Sequence, residues 1–171
     1  MVAQTETIGH RLPLAGKPDM ANLGNALHTC IARVTATGQC EEGEIDRILQ
    51  RWGVASYLQA QGVCAQLKAF MQWCTQKWPG SEVLAEIPIE AQGPSGHRIN
   101  GRIDFLIKTK QGWILIDHKA NPRGEEGDQK LVSTYGPQLA TYAQAIAGAT
   151  NQPVKEAWLY QPVAGRAIRV F

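Results

Sequence analysis

Two short apolar segments that each carry an acidic residue constrain this chain more than any other feature of its sequence. They are RIDFLI at 102–107 and WILIDHK at 113–119. The intervening residues 109–112 include a glycine and have a length that joins two strands of a hairpin. If Lys108 pairs with Trp113, the residue numbers of each cross-strand pair sum to 221. Asp104 then lies directly opposite Asp117.

Strand geometry brings three charged side chains together in this hairpin. Side chains alternate between the two faces of a strand, so Asp117 and Lys119 share a face, and the pairing puts Asp104 on that face too. Opposed residues have Cβ atoms roughly 4.5–5.5 Å apart, and two like charges at that separation are destabilising unless a positive charge lies between them. The pattern therefore predicts a divalent cation at this position.

A plainer interpretation treats these charges as ordinary surface residues of a hairpin with one face in water. Against it, residues 114–116 form a continuous apolar run, which is typical of a strand buried on both faces. An acid at the end of a buried strand is costly unless it has a role. The cation prediction depends on loop length, because one residue more or fewer would place Asp104 and Asp117 on opposite faces.

Length and composition indicate one globular domain, 1–171. The chain is 44 % hydrophobic and 19 % charged, and no apolar run approaches the roughly 18 residues of a membrane span. The N-terminal segment lacks the basic start and apolar stretch of a signal peptide, so we expect a cytoplasmic protein with no membrane partner. The net charge of +2 does not by itself indicate nucleic acid, but residues 91–171 carry ten Lys/Arg against six Asp/Glu, which suits an anionic partner.

The four cysteines lie in the first half of the chain, at positions 30, 40, 64 and 74. They form no C-x-x-C pair and have no histidine at zinc-finger spacing. We expect them to be small buried hydrophobic residues. The alternative is a structural metal or cluster.

The hydrophobic pattern predicts helices first, then strands, then a helix and two more strands. Residues 1–20 are expected to form an irregular arm, because Pro13, Gly16 and Pro18 interrupt any period. The predicted helices are 21–35, 42–52, 55–77 and 134–146, and the predicted strands are 83–90, 97–109, 112–120, 156–163 and 166–171. Residues 121–133 have no apolar period and are predicted to form a loop. This order indicates an α/β sandwich with a mixed sheet.

Five short motifs resemble, in this order, those of the RecB-like branch of the PD-(D/E)XK nuclease superfamily. They are GNALH at 24–28, Glu86 on the first of the central strands, GRID at 101–104, IDHK at 116–119 and QLATY at 138–142. The segment 11–28 also looks like the start of the nuclease domain at the C-terminus of UvrD/AddA-type helicase-nucleases. The resemblance implies a restriction-endonuclease-like fold, with a central mixed β-sheet flanked by α-helices, in a domain cut from a longer helicase-nuclease or in a free-standing relative.

The resemblance also implies an activity and a site. The activity is that of a Mg²⁺- or Mn²⁺-dependent deoxyribonuclease, expected to be an exonuclease, which acts with a helicase on DNA ends in repair and recombination. The implied metal ligands are Asp104, Asp117, His28 and the backbone carbonyl of His118. Oxygen ligands suit both ions, and the imidazole favours Mn²⁺. Lys119 is expected to orient or help deprotonate the attacking water and to offset charge on the phosphate; the plainer interpretation is a solvated lysine at a strand end.

Several implied site residues have plainer interpretations. His28 lies on an apolar helical face, where a histidine is commonly a core residue, although Gly24 one turn earlier would let another backbone or the substrate approach closely. Glu86 is either an acid behind the metal ligands or a residue that simply flanks Pro88. Gln138 and Tyr142, four residues apart on one helix face, either contact DNA or hold the helix to the sheet.

Two alternatives to a nuclease use the same fold. One is a nucleic-acid-binding module that has lost cleavage, and the other is a structural domain that docks on a helicase. The sequence has no cysteine beyond position 74, so we expect no iron–sulfur cluster. It also lacks a G-x-x-x-x-G-K-[ST] motif, so ATP binding and helicase action are expected to come from another domain or chain.

Overall fold

A six-stranded mixed sheet with helices on both faces is the framework of this protein in the computed structural model, which describes residues 3–120 and 127–171. The elements in chain order are β1 (Thr5–Thr7), α1 (Met20–Thr37), α2 (Glu42–Arg51), α3 (Ala60–Lys77), β2 (Glu82–Gln92), β3 (Arg98–Thr109), β4 (Gly112–His118), α4 (Asp128–Thr150), β5 (Val154–Gln161) and β6 (Arg166–Arg169). The order of strands across the sheet is β1-β6-β5-β4-β3-β2. Only β4 and β5 run parallel among these neighbours. The predicted α/β sandwich with a mixed sheet is confirmed.

Two apolar cores lie on the two faces of the sheet. The larger core packs α1, α2 and α3 against one face, and the smaller core packs α4 against the other. All seven residues of β4 are buried, as the apolar run at 114–116 predicted for a strand covered on both faces. The ends of this strand therefore lie in the middle of the molecule, where charged side chains need partners.

Helix α1 begins and ends close to its predicted bounds because its sequence carries clear signals. Asp19 caps its first turn by accepting a hydrogen bond from the Asn22 N–H at 2.9 Å. Gly38 ends it with a φ of 72°, a left-handed conformation that glycine adopts without strain. The buried residues are six, at the spacing of one helical face: Leu23, Ala26, Leu27, Cys30, Ile31 and Val34.

The prediction for α4 was wrong at both ends. The helix begins at Asp128 rather than 134, and a bidentate ion pair between Asp128 and Arg166, at 2.7 and 2.8 Å, fixes its first turn to β6. It continues past Gly148 to Thr150, where Asn151 takes the left-handed conformation that ends it. Residues 128–133 were assigned to a loop because they lack an apolar period, and residues 121–126 of that predicted loop lie outside the described part of the chain.

The N-terminal arm and the third helix also differ from prediction. Residues 1–20 were expected to be irregular, but Thr5–Thr7 pair antiparallel with β6 and form an edge of the sheet. Helix α3 begins at Ala60, later than the predicted 55. A strand of three residues is too short to leave a pattern in the sequence.

Two of the four cysteines do not behave as predicted. Cys40 and Cys64 form a disulfide that links the α1–α2 connection to α3. Cys30 and Cys74 are free and buried, as expected. None of the helices in the described ranges combines the length and apolarity that crossing a membrane requires.

Candidate active site

The register of the β3–β4 hairpin is the one predicted from the sequence. Lys108 pairs with Trp113, and the ladder continues with the same sum of residue numbers to Phe105 and Ile116. Thr109 and Gly112 also pair, so the turn contains two unpaired residues rather than four. The next residues beyond the pair of Phe105 and Ile116 are Asp104 on β3 and Asp117 on β4, so both lie at the same end of the hairpin.

A break in the pleat of the neighbouring hairpin places Asp104. The β2–β3 ladder pairs Ala85 with Phe105 and Ile87 with Ile103, but the intervening pair is missing. Glu86 has a φ of 52°, which is uncommon for a residue with a side chain and is found at strained functional positions. Phe105 belongs to the larger core and Ile103 to the smaller one, although residues two apart normally share a face.

The side chain of His28 reaches from α1 to three groups on the sheet. Its Nδ1 lies 3.1 Å from Asp104 Oδ1 and 3.8 Å from Glu86 Oε1. Its Nε2 lies 3.2 Å from the backbone carbonyl oxygen of His118. Gly24 is not needed for this approach of protein atoms, because an added Cβ would meet Ala120 Cβ at an ordinary 4.0 Å.

A backbone hydrogen bond joins Asp104 to the end of β4. Asp104 Oδ2 accepts it from the His118 N–H at 2.8 Å. This bond holds the Asp104 carboxylate beside the strand end, with one oxygen toward β4 and the other toward His28. Both oxygens of Asp104 are therefore positioned by neighbours.

Lys119 completes the group of charged residues just after β4. Its backbone N–H donates to the Tyr160 carbonyl on β5 at 2.8 Å, which fixes the direction of the side chain. Its Nζ lies 3.0 Å from Asp117 Oδ2 and 4.2 Å from the centre of the Tyr135 ring on α4. A carboxylate and an aromatic face thus hold this ammonium group.

The two carboxylates have opposite pKa shifts. Burial favours the neutral form of Asp104, but its hydrogen bond to His28 and the nearby imidazoles outweigh that effect, so the pKa of Asp104 lies well below its ordinary value. Burial and then the charge of Asp104 raise the pKa of Asp117 to about 7, although Lys119 opposes this. The pair of carboxylates is therefore more stable with one negative charge than with two.

The two histidines of the site also have opposite pKa shifts. Burial lowers the pKa of His28, but the hydrogen bond and charge of Asp104, aided by Glu86 and Asp117, raise it above the ordinary value. Burial lowers the pKa of His118 to about 3, so its imidazole is neutral near pH 7. The site therefore combines the imidazole of His28, which binds a proton more tightly than usual, with that of His118, which binds one less tightly.

These groups fit a divalent cation. The raised pKa of Asp117 beside Asp104 indicates that these two buried carboxylates lack sufficient positive charge between them. His28 also brings a ring nitrogen to Asp104. Asp117 Oδ2 is buried, and Lys119 Nζ lies 3.0 Å from it. His28, Asp104 and the His118 ring also form a cluster whose ligand atoms lie within 4.8 Å of one another.

The predicted DNA-contacting residues on α4 lie beside the site. Gln138 Nε2 donates to the Tyr142 hydroxyl at 3.2 Å, and Gln138 is exposed. Tyr142 is buried in the smaller core and packs so closely on Gly101 that an added Cβ would lie 2.8 Å from its Cζ. Burial and the charge of Asp117 raise the pKa of Tyr142.

Sequence reasoning missed the ring of His118, because it considered only the backbone carbonyl of that residue. The side chain points into the larger core, where Phe70, Phe105 and Tyr160 have ring centres within 6.0 Å of its own. A histidine next to the apolar run 114–116 was the available signal. Glu86 lies near His28, and its side chain also contacts Arg102 at 3.5 Å.

The sequence is similar to those of known nucleases and helicase/nuclease subunits. A profile of the PD-(D/E)XK nuclease superfamily matches residues 7–170. An ATP-dependent helicase/nuclease subunit from Oceanobacillus iheyensis is 24 % identical over 164 residues, which cover 82 % of this chain and 13 % of that protein. The protein of the same name from Desulforudis audaxviator is 31 % identical over 100 residues, or 56 % of this chain and 8 % of that protein.

A third relative, the ATP-dependent helicase/nuclease subunit of the same name from Lachnoclostridium phytofermentans, is 32 % identical over 72 residues, which cover 42 % of this chain and 5 % of that protein. The chain thus spans only 13 % or less of the length of these curated relatives. The superfamily profile, in contrast, extends over nearly the whole chain, from β1 to β6. The chain therefore belongs to the PD-(D/E)XK nuclease superfamily.

Proposed function

We propose that this protein is a Mg²⁺- or Mn²⁺-dependent DNA nuclease that hydrolyses phosphodiester bonds at DNA ends. The observation that carries the proposal is the convergence of Asp104, Asp117 and Lys119 at the end of a buried strand, with His28 in contact with Asp104 at 3.1 Å. Membership of a nuclease superfamily supports it. A decayed binding module would have no need for two buried carboxylates, which destabilise the fold unless a cation balances them.

Each group at the site has a role in this proposal. The groups that hold the divalent cation are His28, Asp104, Asp117 and the backbone carbonyl of His118. When bound, the ion supplies Lewis acidity for the scissile phosphate. Asp104 is oriented for this by the hydrogen bond from the His118 N–H, and His28 is oriented by its contacts with Asp104 and Glu86.

Lys119 acts on the nucleophile and on the charge of the transition state. Its ammonium group orients the attacking water and offsets the negative charge that builds on the phosphate. The Asp117 carboxylate and the Tyr135 ring, on two sides of Nζ, restrict its position. A positioned cation is more effective than a mobile one, because it needs no reorganisation during the reaction.

The DNA strand lies, in this proposal, between α4 and the β2–β3 hairpin. Gln138 is exposed beside the site and can donate to a phosphate or a base edge. Tyr142 supports Gln138 through their hydrogen bond. We propose exonuclease action on such a strand.

The biological setting is also a proposal. The relatives named as helicase/nuclease subunits are many times longer than the matched segment, so we propose that this chain is a single nuclease domain, 1–171, that works with a helicase in the same or another chain. The setting would be end processing in cytoplasmic DNA repair and recombination. ATP hydrolysis would be supplied by that helicase.

Cleavage of end-labelled single- and double-stranded DNA in Mg²⁺, Mn²⁺ or EDTA tests the proposal. We expect metal-dependent cleavage that the Asp117→Ala variant lowers by more than about a hundredfold, because loss of a ligand removes electrostatic stabilisation of the transition state. The Glu42→Ala variant is the matched control, since Glu42 is an exposed acid on α2. It should cleave at the wild-type rate.

Other results would support a different function. A well-folded protein that binds DNA but cleaves neither substrate with either metal would indicate a binding module. A protein that binds neither DNA nor metal would indicate a structural domain. Equal loss of activity in both variants would mean that the effect of Asp117→Ala is not specific to the site.

A further inference from the structure

The imidazole of His118 is a buried polar group without a polar partner for either ring nitrogen. The residue is only 2 % exposed, and neither Nδ1 nor Nε2 has a hydrogen-bond partner within the described residues. Folded proteins rarely leave such atoms unsatisfied, because each costs about 1–3 kcal/mol. Unlike the backbone carbonyl of the same residue, this ring has no role in the function proposed above.

Three aromatic rings pack around the His118 ring, and the residues on its remaining side can bind a metal ion. Phe70, Phe105 and Tyr160 surround it, with ring centres 5.7–6.0 Å away. On the remaining side is His28, whose ring centre is 5.4 Å away. One ring nitrogen of His28, one ring nitrogen of His118 and one carboxylate oxygen of Asp104 all lie within 4.8 Å of one another.

Two imidazoles and one carboxylate differ chemically from the oxygen-rich set proposed for Mg²⁺. Nitrogen ligands favour transition metals, and a set of three protein ligands with an open position is common in zinc enzymes. Mg²⁺ prefers oxygen ligands and retains several waters, so a second imidazole adds little for it. Because 30 % of the His28 side chain is exposed, an ion can reach the cluster from solvent on that side.

We propose that the His118 imidazole, together with His28 and Asp104, binds a transition-metal ion, with Zn²⁺ as the best fit. This ligand set shares His28 and Asp104 with the proposed catalytic cation and replaces Asp117 with the His118 ring. The two ions therefore compete. As a consequence that rests on the proposed function, Zn²⁺ inhibits Mg²⁺-dependent cleavage by occupying the shared ligands.

The His118→Phe variant separates metal binding from packing. Phenylalanine preserves a ring among Phe70, Phe105 and Tyr160 but has no nitrogen. If His118 is only an aromatic core residue, this variant should be at least as stable as the wild type and bind Zn²⁺ equally well. The His97→Phe variant is the matched control, because it makes the same substitution at an exposed histidine.

The first measurement is metal binding by the whole chain, without DNA. Zn²⁺ affinity is obtained by competition with a chromogenic chelator, and Co²⁺ is used as a spectroscopic probe of the same ligands. We expect His118→Phe to weaken Zn²⁺ binding by at least about tenfold, far more than it weakens Mg²⁺ binding, and to reduce the visible absorption of bound Co²⁺. Equal Zn²⁺ affinity and an unchanged Co²⁺ spectrum would overturn the proposal.

A second measurement needs no substitution and remains decisive if His118→Phe does not fold. The ring ¹⁵N resonances of His118 in the wild-type protein should show the large shift of a metal-bound nitrogen on addition of Zn²⁺ and a much smaller shift with Mg²⁺, for which only the backbone carbonyl of His118 is a proposed ligand. Ring resonances that do not respond to Zn²⁺ would also overturn the proposal. Adventitious binding at the surface would shift His97 instead.

The outcomes separate this inference from the proposed nuclease activity. A protein that cleaves DNA with Mg²⁺ but binds Zn²⁺ equally in wild type and His118→Phe is a nuclease without this site. A protein that cleaves no DNA but loses Zn²⁺ affinity in the variant has the site without the activity. In a protein with both properties, His118→Phe should relieve inhibition by Zn²⁺.

Discussion

The ammonium group of Lys119 lies between two groups that have different effects on it. Asp117 attracts it as a counter-ion, and this attraction weakens when a metal ion takes the carboxylate charge. The Tyr135 ring attracts it through its π-face and remains available whether or not Asp117 is occupied. In the proposed reaction, Tyr135 would therefore keep Lys119 in place.

Substitution of Tyr135 tests this role. Cation–π contacts contribute about 0.5–2 kcal/mol, so we expect Tyr135→Leu to lower kcat about 2- to 30-fold. Tyr135→Phe retains the ring and should stay within about twofold of the wild type. Steady-state cleavage with Mg²⁺ provides the measurement. A loss confined to KM would instead indicate that the ring stacks on DNA bases.

At single residues, the sequence predicted the register of the β3–β4 hairpin, in which Lys108 pairs with Trp113 and Phe105 with Ile116. The ladder ends there, so the opposition of Asp104 and Asp117 stays a prediction. The left-handed conformation of Glu86 was not predictable, because nothing in the residues around it signals a positive φ. The His118 ring was missed because its environment is made by α3 and β5, which are distant in sequence.

At the scale of elements, the Cys40–Cys64 disulfide is the main cross-link among the helices. It joins residues 24 positions apart and connects the turn after α1 to the first turns of α3. A cross-link of this span restricts the unfolded chain and stabilises the folded one by about 3 kcal/mol. The α1–α2–α3 layer that carries His28 therefore depends partly on this bond.

Reduction of the disulfide should lower the free energy of unfolding by about 2–4 kcal/mol. Urea denaturation with and without reductant measures the difference. The Cys40→Ala/Cys64→Ala double variant is the control and should not respond to reductant. Burial raises the pKa of Cys30 to about 12, and Cys74 is also buried, so both free thiols should react only in the denatured protein. Thiol titration of the denatured protein therefore identifies the bond.

The elements that sequence failed to predict lack a local signal. Strand β1 exists because the backbone of Thr5–Thr7 pairs with β6, which is a long-range contact. The first turn of α4 is fixed by Asp128 and Arg166, 38 residues apart, and not by an apolar period. Helix α1 and strand β4, in contrast, carry their own caps and apolar runs and were predicted closely.

At the scale of the whole molecule, folding buries two carboxylates whose negative charges repel each other. Asp104 and Asp117 come from separate strands, and both are 7 % exposed in the folded protein. In the unfolded chain they are in water and ionise independently. Folding therefore disfavours the ionised form of Asp117 beside ionised Asp104, and we expect a bound cation to stabilise both carboxylates in the ionised form.

Stability in EDTA should reflect this conflict through pH. Because the pKa of Asp117 is raised to about 7 in the folded protein, the folded state binds this proton more tightly than the unfolded state, whose carboxyl has a pKa of about 3.9. Stability from this group is therefore present below about pH 4 and is lost as pH rises to about 7. Removing the charge should stabilise the metal-free protein most at alkaline pH.

The Asp117→Asn variant tests whether stability changes with pH in this direction. In EDTA we expect it to exceed the wild type in unfolding free energy by about 1–3 kcal/mol at pH 8, and the gain should shrink toward zero near pH 4.5. Urea denaturation at both pH values gives the comparison. Mg²⁺ at pH 8 should stabilise the wild type by binding the folded state, and should stabilise Asp117→Asn much less.

A gain that is the same at both pH values would mean that Asp117→Asn acts through packing and not through charge. Equal stabilisation of both proteins by Mg²⁺ would remove Asp117 from the ligand set, since a ligand stabilises a fold only through the groups that bind it. If both results follow the expectation, the instability of the metal-free protein and its need for a cation have one origin. That origin is the burial of Asp104 and Asp117 at the same end of the β3–β4 hairpin.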